Sequence, residues 1–315
     1  MTSVSPKNVS ILLVACIPIV GFACSSKNGV EDTANPSNPI YNVTTGGGSG
    51  VSGVGGGAPI VWPPSGFTNV TNVQYGAYAL GPQVGNDQAT TGSATISNDG
   101  TTCSGMYGLI RDFQSSQVTG GHPDFEYVII DDKGITTTTI GADGKPVYGN
   151  HPSGTPSTHS QAYFDQWYND NAGVTQTFVI GLKTADRNGV LSFQSDTYFP
   201  LDNAGWGNTA GQRHNFHFTT EIHTSFMYNG GETFTFIGDD DVFVYINGQL
   251  VIDLGGVHNA ETTQVNLDTL GLTPGTQYPL LIFQAERHTT ESHFRFDTTL
   301  TFADCGQVPV GVVIN

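Results

Sequence analysis

The amino-acid sequence predicts an all-β fold that carries one short helix and is preceded by a flexible tether rich in Gly, Ser and Pro. Composition is the first reason. Only 12% of the 315 residues are charged while glycine accounts for 41, a make-up short of the Ala, Glu, Lys and Leu that helices favour and suited to strands and turns. The second reason is period-two alternation of apolar and polar residues, clearest along His217 to Phe226. The third is a hairpin signature, Asn247-Gly248, between the apolar runs Val242 to Ile246 and Leu250 to Ile252.

From the amino terminus, Met1 to Lys7 carries one positive charge, and Val9 to Ala23 is almost wholly apolar before Cys24. This is the pattern of a secretory signal over residues 1–23, too short for a membrane span and interrupted by Pro18. Gly21-Phe22-Ala23-Cys24 resembles a bacterial lipobox. Ala23 supplies the small residue before the lipidated cysteine, whereas Gly21 and Phe22 depart from the Leu and small residue usual there. The resemblance implies lipidation of Cys24, with Ser25 next to it directing an outer-membrane lipoprotein. Each buried methylene of such an anchor contributes about 0.8 kcal/mol.

Residues 24–64 hold Asn35-Pro36-Ser37-Asn38-Pro39 and Gly46-Gly47-Gly48-Ser49-Gly50 and no apolar period, so they read as a flexible linker. In residues 65–102, Val70, Val73, Tyr75, Tyr78 and Leu80 offer one or two strands along an edge. The main domain spans 103–305, with 306–315 as a tail. Tyr107 to Phe113 is its first strand, and Phe125 to Ile130 fits a strand or a short helix, which periodicity cannot separate in so short a run. Gly141 to Pro146 is a turn-rich loop. Phe164, Trp167 and Tyr168 fall at helical spacing, which places the short helix over Ala162 to Tyr168 as a plug across one end of the fold. Val174 to Leu182 and Val190 to Phe193 are strands, with Arg187-Asn188-Gly189 as their turn.

Around the strand His217 to Phe226, Phe216, Phe218, Ile222 and Phe226 share one face, and His217, Thr219, Glu221, His223 and Ser225 share the other. His217, Glu221 and His223 fit either a transition-metal site or buried histidines bonded to Thr and Glu. Alternate residues on a strand lie about 7 Å apart, which favours the second. Glu232 to Asp253 then reads as strand, acidic loop Asp239-Asp240-Asp241, strand, turn, strand. Three adjacent carboxylates repel one another, and a bound calcium ion relieves that repulsion; a bare acidic turn is the alternative. Thr263 to Leu267, Tyr278 to Phe283 and Phe294 to Phe302 are the remaining strands. Counting strand reversals brings the polar loop Gln284 to His293 to the same end as the three aspartates.

Net charge is −17, from 27 acidic and 10 basic residues. Such a surface repels nucleic acid and attracts divalent cations. Once Cys16 leaves with the signal and Cys24 carries lipid, Cys103 and Cys305 remain. In an exported chain they read as a disulfide rather than two unrelated thiols. A loop that long is worth at most about 5 kcal/mol by chain entropy.

The stretch from Gly238 to His258 closely resembles the signature of the fibro-slime domain, a branch of the protective-antigen-type carbohydrate-binding β-barrel family. Ile110-Arg111-Asp112-Phe113, His122-Pro123-Asp124-Phe125-Glu126, Phe164-Asp165-Gln166-Trp167-Tyr168, His214 to Thr219 and Ala285-Glu286-Arg287-His288 stand in the family's order. The likeness covers about Cys103 to Cys305. It implies a protective-antigen-like β-barrel or sandwich. In sugar-binding members two adjacent aspartates, joined by a cis peptide, coordinate calcium, a second loop completes the shell, and sugar hydroxyls bind the metal. Asp239 and Asp240 match that pair, and Asp241 stands where the wider family has glycine. By position Glu286 is the fourth metal ligand, and His288, Thr289 and Thr290 would meet the ligand. The resemblance thus implies an exported, surface-anchored, calcium-dependent module for a polysaccharide or glycoconjugate, not an enzyme. The alternatives are a structural matrix protein whose calcium only stabilises the loop, and a glycoside hydrolase using Glu221 and the histidines or paired acids such as Asp253 and Glu286.

Overall fold

The computed structural model describes residue 103 and residues 105–307 in full, together with the backbone of residues 308–309 and of short strands between Thr44 and Thr95. The signal segment, Cys24 and most of the linker lie outside the described residues. Two sheets dominate. The larger contains β1 (Gly105–Asp112), β3 (Gln176–Lys183), β6 (Phe218–Tyr228), β8 (Asp241–Ile246), β9 (Gln249–Leu254) and β12 (Thr276–Glu286). They run in the spatial order β3-β1-β6-β12-β8-β9, all antiparallel. The smaller contains β4 (Ala185–Arg187), β5 (Val190–Ser195), β7 (Thr233–Gly238), β11 (Glu261–Asn266) and β13 (Phe294–Thr298), in the order β4-β5-β13-β7-β11. β2 (Ile130–Asp131) and β10 (Gly256–Val257) form a separate two-stranded ribbon. The two large sheets are separate ladders, so the architecture is a sandwich and not a closed barrel.

Within 65–102, Phe67–Thr71 pairs antiparallel with Gln307–Pro309, and Ala79–Leu80 runs parallel beside β3. Both additions extend the larger sheet, and the first of them carries the ladder past Cys305.

The alternation read from the sequence selects the faces. Phe218, Ile222 and Phe226 of β6 enter one core with Phe234, Phe236, Phe294 and Phe296 of the smaller sheet. Glu221 and His223 point to the opposite face, yet they are buried as well, because residues 114–174 fold over that side. There Phe125, Phe164, Trp167 and Tyr168 form a second core with Phe243, Tyr245, Leu281 and Phe283. The larger sheet is thus covered on both faces. The helix is shorter than the spacing suggested, Gln161–Phe164, and continues as turns. It packs its aromatic residues against a sheet face rather than plugging an end, since Phe164 stands 6.4 Å from the Phe243 ring and Tyr168 stands 4.9 Å from the Phe283 ring. Phe125 to Ile130 is neither helix nor one strand; only Ile130 and Asp131 pair, with Gly256–Val257.

The Asn247-Gly248 turn falls where the sequence put it, whereas Asn188-Gly189 joins β4 to β5 rather than β3 to β5, which lie in different sheets. Asn247 and Gly248 both have positive φ, 50° and 75°, as a two-residue turn of the primed kind requires, and Asn188-Gly189 repeats the arrangement at 59° and 81°. His217 and His223 each pair with a carboxylate of the chain. His217 bonds Glu126 at 3.0 Å, and His223 bonds Glu221 at 2.7 Å. Burial alone would raise the Glu221 pKa, but Lys145 and Arg111 hold this carboxyl well below its ordinary range. The strand's polar face is therefore an ion-paired core, which accounts for its burial beneath the 114–174 segment.

Cys103 and Cys305 are joined across the two ends of the domain, 202 positions apart, with Cα atoms 5.3 Å apart. Replacing both by serine is expected to cost about 2–5 kcal/mol, read from urea unfolding. A loss too small to resolve would mean that the sheet ladder alone fixes these ends.

Candidate functional site

The acidic loop is a crossing between sheets. β7 lies in the smaller sheet and ends at Gly238, β8 lies in the larger one and begins at Asp241, and Asp239-Asp240 bridge them. The return crossing is the segment from Arg287 to His293, which leaves β12 in the larger sheet and enters β13 in the smaller one. Register pairs the two crossings at both ends, with Gly238 opposite Phe294 and Asp241 opposite Ala285. They run side by side at one end of the sandwich. The approach is close enough to need glycine at 238, where a Cβ would sit 2.8 Å from the His293 carbonyl oxygen and 2.7 Å from the Phe236 ring.

Each aspartate has a different partner. Asp239 accepts from the His293 backbone N–H at 2.5 Å and pairs with His293 Nδ1 at 2.7 Å. That contact raises the pKa of the imidazole. Asp240 accepts through Oδ2 from the backbone N–H groups of Arg287 and His288, both at 3.0 Å. Asp241 faces the Arg287 guanidinium with two parallel bonds, Nε to Oδ2 at 2.5 Å and Nη2 to Oδ1 at 3.1 Å, and its Oδ1 also accepts from Gly256 N–H. Asp241 is consequently the counter-ion of a fully buried arginine, with both oxygens occupied.

Glu286 has no such partner. It is fully buried, and neither carboxyl oxygen receives a hydrogen bond; the nearby Ser292 hydroxyl donates to the Tyr198 carbonyl instead. Burial, then the charges of Asp240 and Asp239, push its pKa well above the ordinary carboxylate range. Burial does the same to Asp240, against the opposing pull of Arg287. An unpartnered buried carboxyl costs at least a few kcal/mol, so three acids packed at this crossing leave an uncompensated electrostatic cost. Asp239, Asp240 and Glu286 offer only oxygen, the donor type that calcium takes, six to eight at about 2.3–2.6 Å.

The expected ligand-contact residues divide. Thr290 is exposed at the loop tip. Thr289 is tied down, its N–H and hydroxyl both donating to Glu126, and His288 bonds the Thr289 carbonyl through Nδ1. Four contributors are not evident as site residues from the sequence. Glu126 clamps the second loop from outside while holding φ at 64°, a left-handed conformation that costs a non-glycine residue. Arg287 satisfies all five of its donors, reaching the carbonyls of Asp124 and Ser157 and the Ser157 hydroxyl as well as Asp241, and lies 4.7 Å from the Trp167 ring centre. Glu291 and His293 form, with Asp239, a group whose donor atoms lie within 4.8 Å of one another. Glu126, Arg287 and His293 all stand in charged motifs or polar loops; what the sequence lacks is the crossing that brings them together.

Comparison with known proteins finds similarity over a region that includes this crossing. Residues 163–310 match the family model of the PA14 domain. The chain is 41% identical over 200 residues to protein psiR of Dictyostelium discoideum, covering 58% of this chain and 20% of that protein. It is 38% identical over 197 residues to protein psiC of the same organism, covering 57% and 38%. It therefore spans well under half the length of these relatives. Among solved structures it overlaps a PA14 sugar-binding domain from an RTX adhesin, with 12% identity, TM-score 0.27, and 65% of this chain and 99% of that one covered. It also overlaps the epithelial adhesin 9 A domain of Candida glabrata in complex with Galβ1-4GlcNAc, with 13% identity, TM-score 0.30, and 65% and 91% covered.

The buried ion pair can be measured directly. Arg287→Met is expected to destabilise by about 3–5 kcal/mol, because Asp241 loses its counter-ion in the interior. Adding Asp241→Asn should recover part of that loss, giving a coupling of about 1 kcal/mol or more in a double-mutant cycle. Strict additivity would show that the two side chains do not depend on one another.

Proposed function

We propose that this chain is a fibro-slime-type member of the PA14 group that binds neutral polysaccharide or glycoconjugate through a calcium ion held by Asp239, Asp240 and Glu286. The observation that carries the reading is Glu286: a fully buried carboxyl with two empty oxygens, beside two further buried acids. A divalent cation answers all three charges at once, while sugar hydroxyls replace its remaining water ligands. The PA14 match over residues 163–310 and the likeness of the aspartate pair to that of sugar-binding members support the ligand class. Glu291 and His293 add an imidazole to Asp239, a donor mix better suited to a transition metal, so the oxygen-only set is the one assigned to calcium. A second reading keeps the ion and drops the sugar. It is favoured by the near-complete burial of Asp239 and Asp240, which lets calcium staple the two crossings without meeting solvent.

The module would be exported and held at the outer membrane through lipidated Cys24, the Gly-rich linker giving it reach. Among the described residues no helix is long and apolar enough to cross a membrane. Replacing Cys24 by Ser should abolish incorporation of labelled palmitate; undiminished labelling would remove the anchor from this account.

Calcium at about a hundred times its dissociation constant should stabilise the fold by about 2.7 kcal/mol, or roughly 5–10 °C in melting temperature, relative to metal-stripped protein. Glu286→Gln should lose most of that rise yet be no less stable than wild type once stripped, since an amide is easier to bury than a carboxylate. The pH dependence has a definite sign. Glu286 and Asp240 have raised folded pKa values, so the stripped protein keeps their contribution below the ordinary carboxylate range and loses it as pH climbs through the raised values. Calcium-loaded protein should not show this decline. Melting that ignores both calcium and Glu286→Gln removes both metal readings, whereas glycan-array binding with and without chelator separates the sugar-binding role from the stapling one.

A further inference from the structure

We propose that Tyr127, His159 and Tyr163 form a second carbohydrate contact, an aromatic ledge that receives a pyranose ring next to the one held at the acidic crossing. This deepens the carbohydrate reading above and rests on it for the class of ligand.

Most aromatic side chains of the domain are in its two cores, but Tyr127 is 48% exposed and Tyr163 40% exposed. They meet through His159, whose ring centre lies 4.2 Å from that of Tyr127 and 6.3 Å from that of Tyr163. The ledge has a rigid base. His159 donates its backbone N–H to Asp124 Oδ1 at 2.9 Å and pairs with the same oxygen through Nδ1 at 2.7 Å, while Trp167 Nε1 donates to Asp124 Oδ2 at 3.2 Å. Arg287 in turn donates to the Asp124 carbonyl. A surface held this way loses little conformational entropy on binding.

Its position relative to the crossing is fixed by one side-chain and one backbone hydrogen bond. Asp240 accepts from the N–H of Arg287, and the carbonyl of Arg287 accepts from the N–H of Glu126 at 2.6 Å. Tyr127 is the next residue. Glu126 further fastens this segment to the second loop through both Thr289 donors. The ledge is thus tied to the acidic crossing through Arg287 and Glu126, so that one extended glycan is the ligand proposed for both.

The chemistry selects a neutral glycan. A tyrosine ring presents an apolar face with a wet hydroxyl edge, which matches the C–H face and hydroxyl rim of a pyranose. The chain's net charge of −17 repels polyanions from any part of the surface that the metal does not serve. Ile129 and Ile130, 66% and 42% exposed, prolong the apolar surface beyond the ledge.

The test is binding of the full chain to arrayed neutral sugars of graded length, from single sugars to oligosaccharides, in calcium and in chelator. Tyr127→Ala and Tyr163→Ala should weaken oligosaccharide binding by about tenfold each and leave single sugars and the calcium-induced melting shift unchanged. Tyr127→Phe should restore binding. Oligosaccharide binding that needs Tyr127 but survives chelator supports the ledge and removes the metal from recognition. Calcium-dependent binding indifferent to both tyrosines overturns the ledge and leaves the metal reading intact. Failure of the wild type to retain any arrayed sugar overturns both. Concentration-dependent dimerisation lost in Tyr127→Ala, measured by light scattering, would reassign the surface to a second copy of the chain and overturn the proposal.

Discussion

One buried guanidinium governs how this end of the molecule is assembled. Arg287 is fully enclosed, and a charged group in that position is tolerable only when every donor is met. Its five N–H bonds go to the acidic crossing at Asp241 and to the overlying segment at Asp124 and Ser157, with Trp167 beneath. Four pieces of chain distant in sequence are thereby fixed against each other. Removing the cation would free all four and strand Asp241 as well.

The same crossing carries more negative charge than its protein partners neutralise. Arg287 answers Asp241, and His293 answers Asp239, whereas Asp240 has only backbone N–H groups and Glu286 has nothing. The sheet's outer face offers the opposite case. Glu221 is as deeply buried as Glu286, but it faces Arg111, Lys145 and His223, and its pKa moves down where that of Glu286 moves up. Two buried glutamates on neighbouring strands thus have opposite fates, set by whether cations accompany them. The first is neutralised by cations of the chain itself; the second has none beside it.

The segment 114–174 gives the larger sheet its second core and also builds the outer surface around the crossing. Asp132 accepts from Thr155 and from both donors of Ser157, and Asp253 accepts from Gly134, so this long connection is fastened at several points. Glu126, in its left-handed conformation, is the point at which that connection grips the second loop. On the proposed carbohydrate-binding reading this rigidity favours recognition, since loops already ordered lose less entropy when a ligand arrives.

The sequence by itself determined the all-β class, the strands that line the core, the Asn-Gly turns and the gathering of acids near Glu286. These rest on local rules: period-two patterning, turn stereochemistry and strand reversal each act over a few residues. The pairing of Cys103 with Cys305 was legible through cysteine count and compartment alone. Only the tertiary structure decided that Asp239-Asp240 cross between sheets, that Asp241 is spent on Arg287 while Glu286 stays unpaired, and that the helix lies on a face. It alone showed Glu126 clamping the second loop. Those outcomes depend on partners tens to more than a hundred positions away, such as Asp124 and Ser157 around Arg287. A side chain's charge is written in the sequence, but whether it is neutralised depends on which distant strand folds against it.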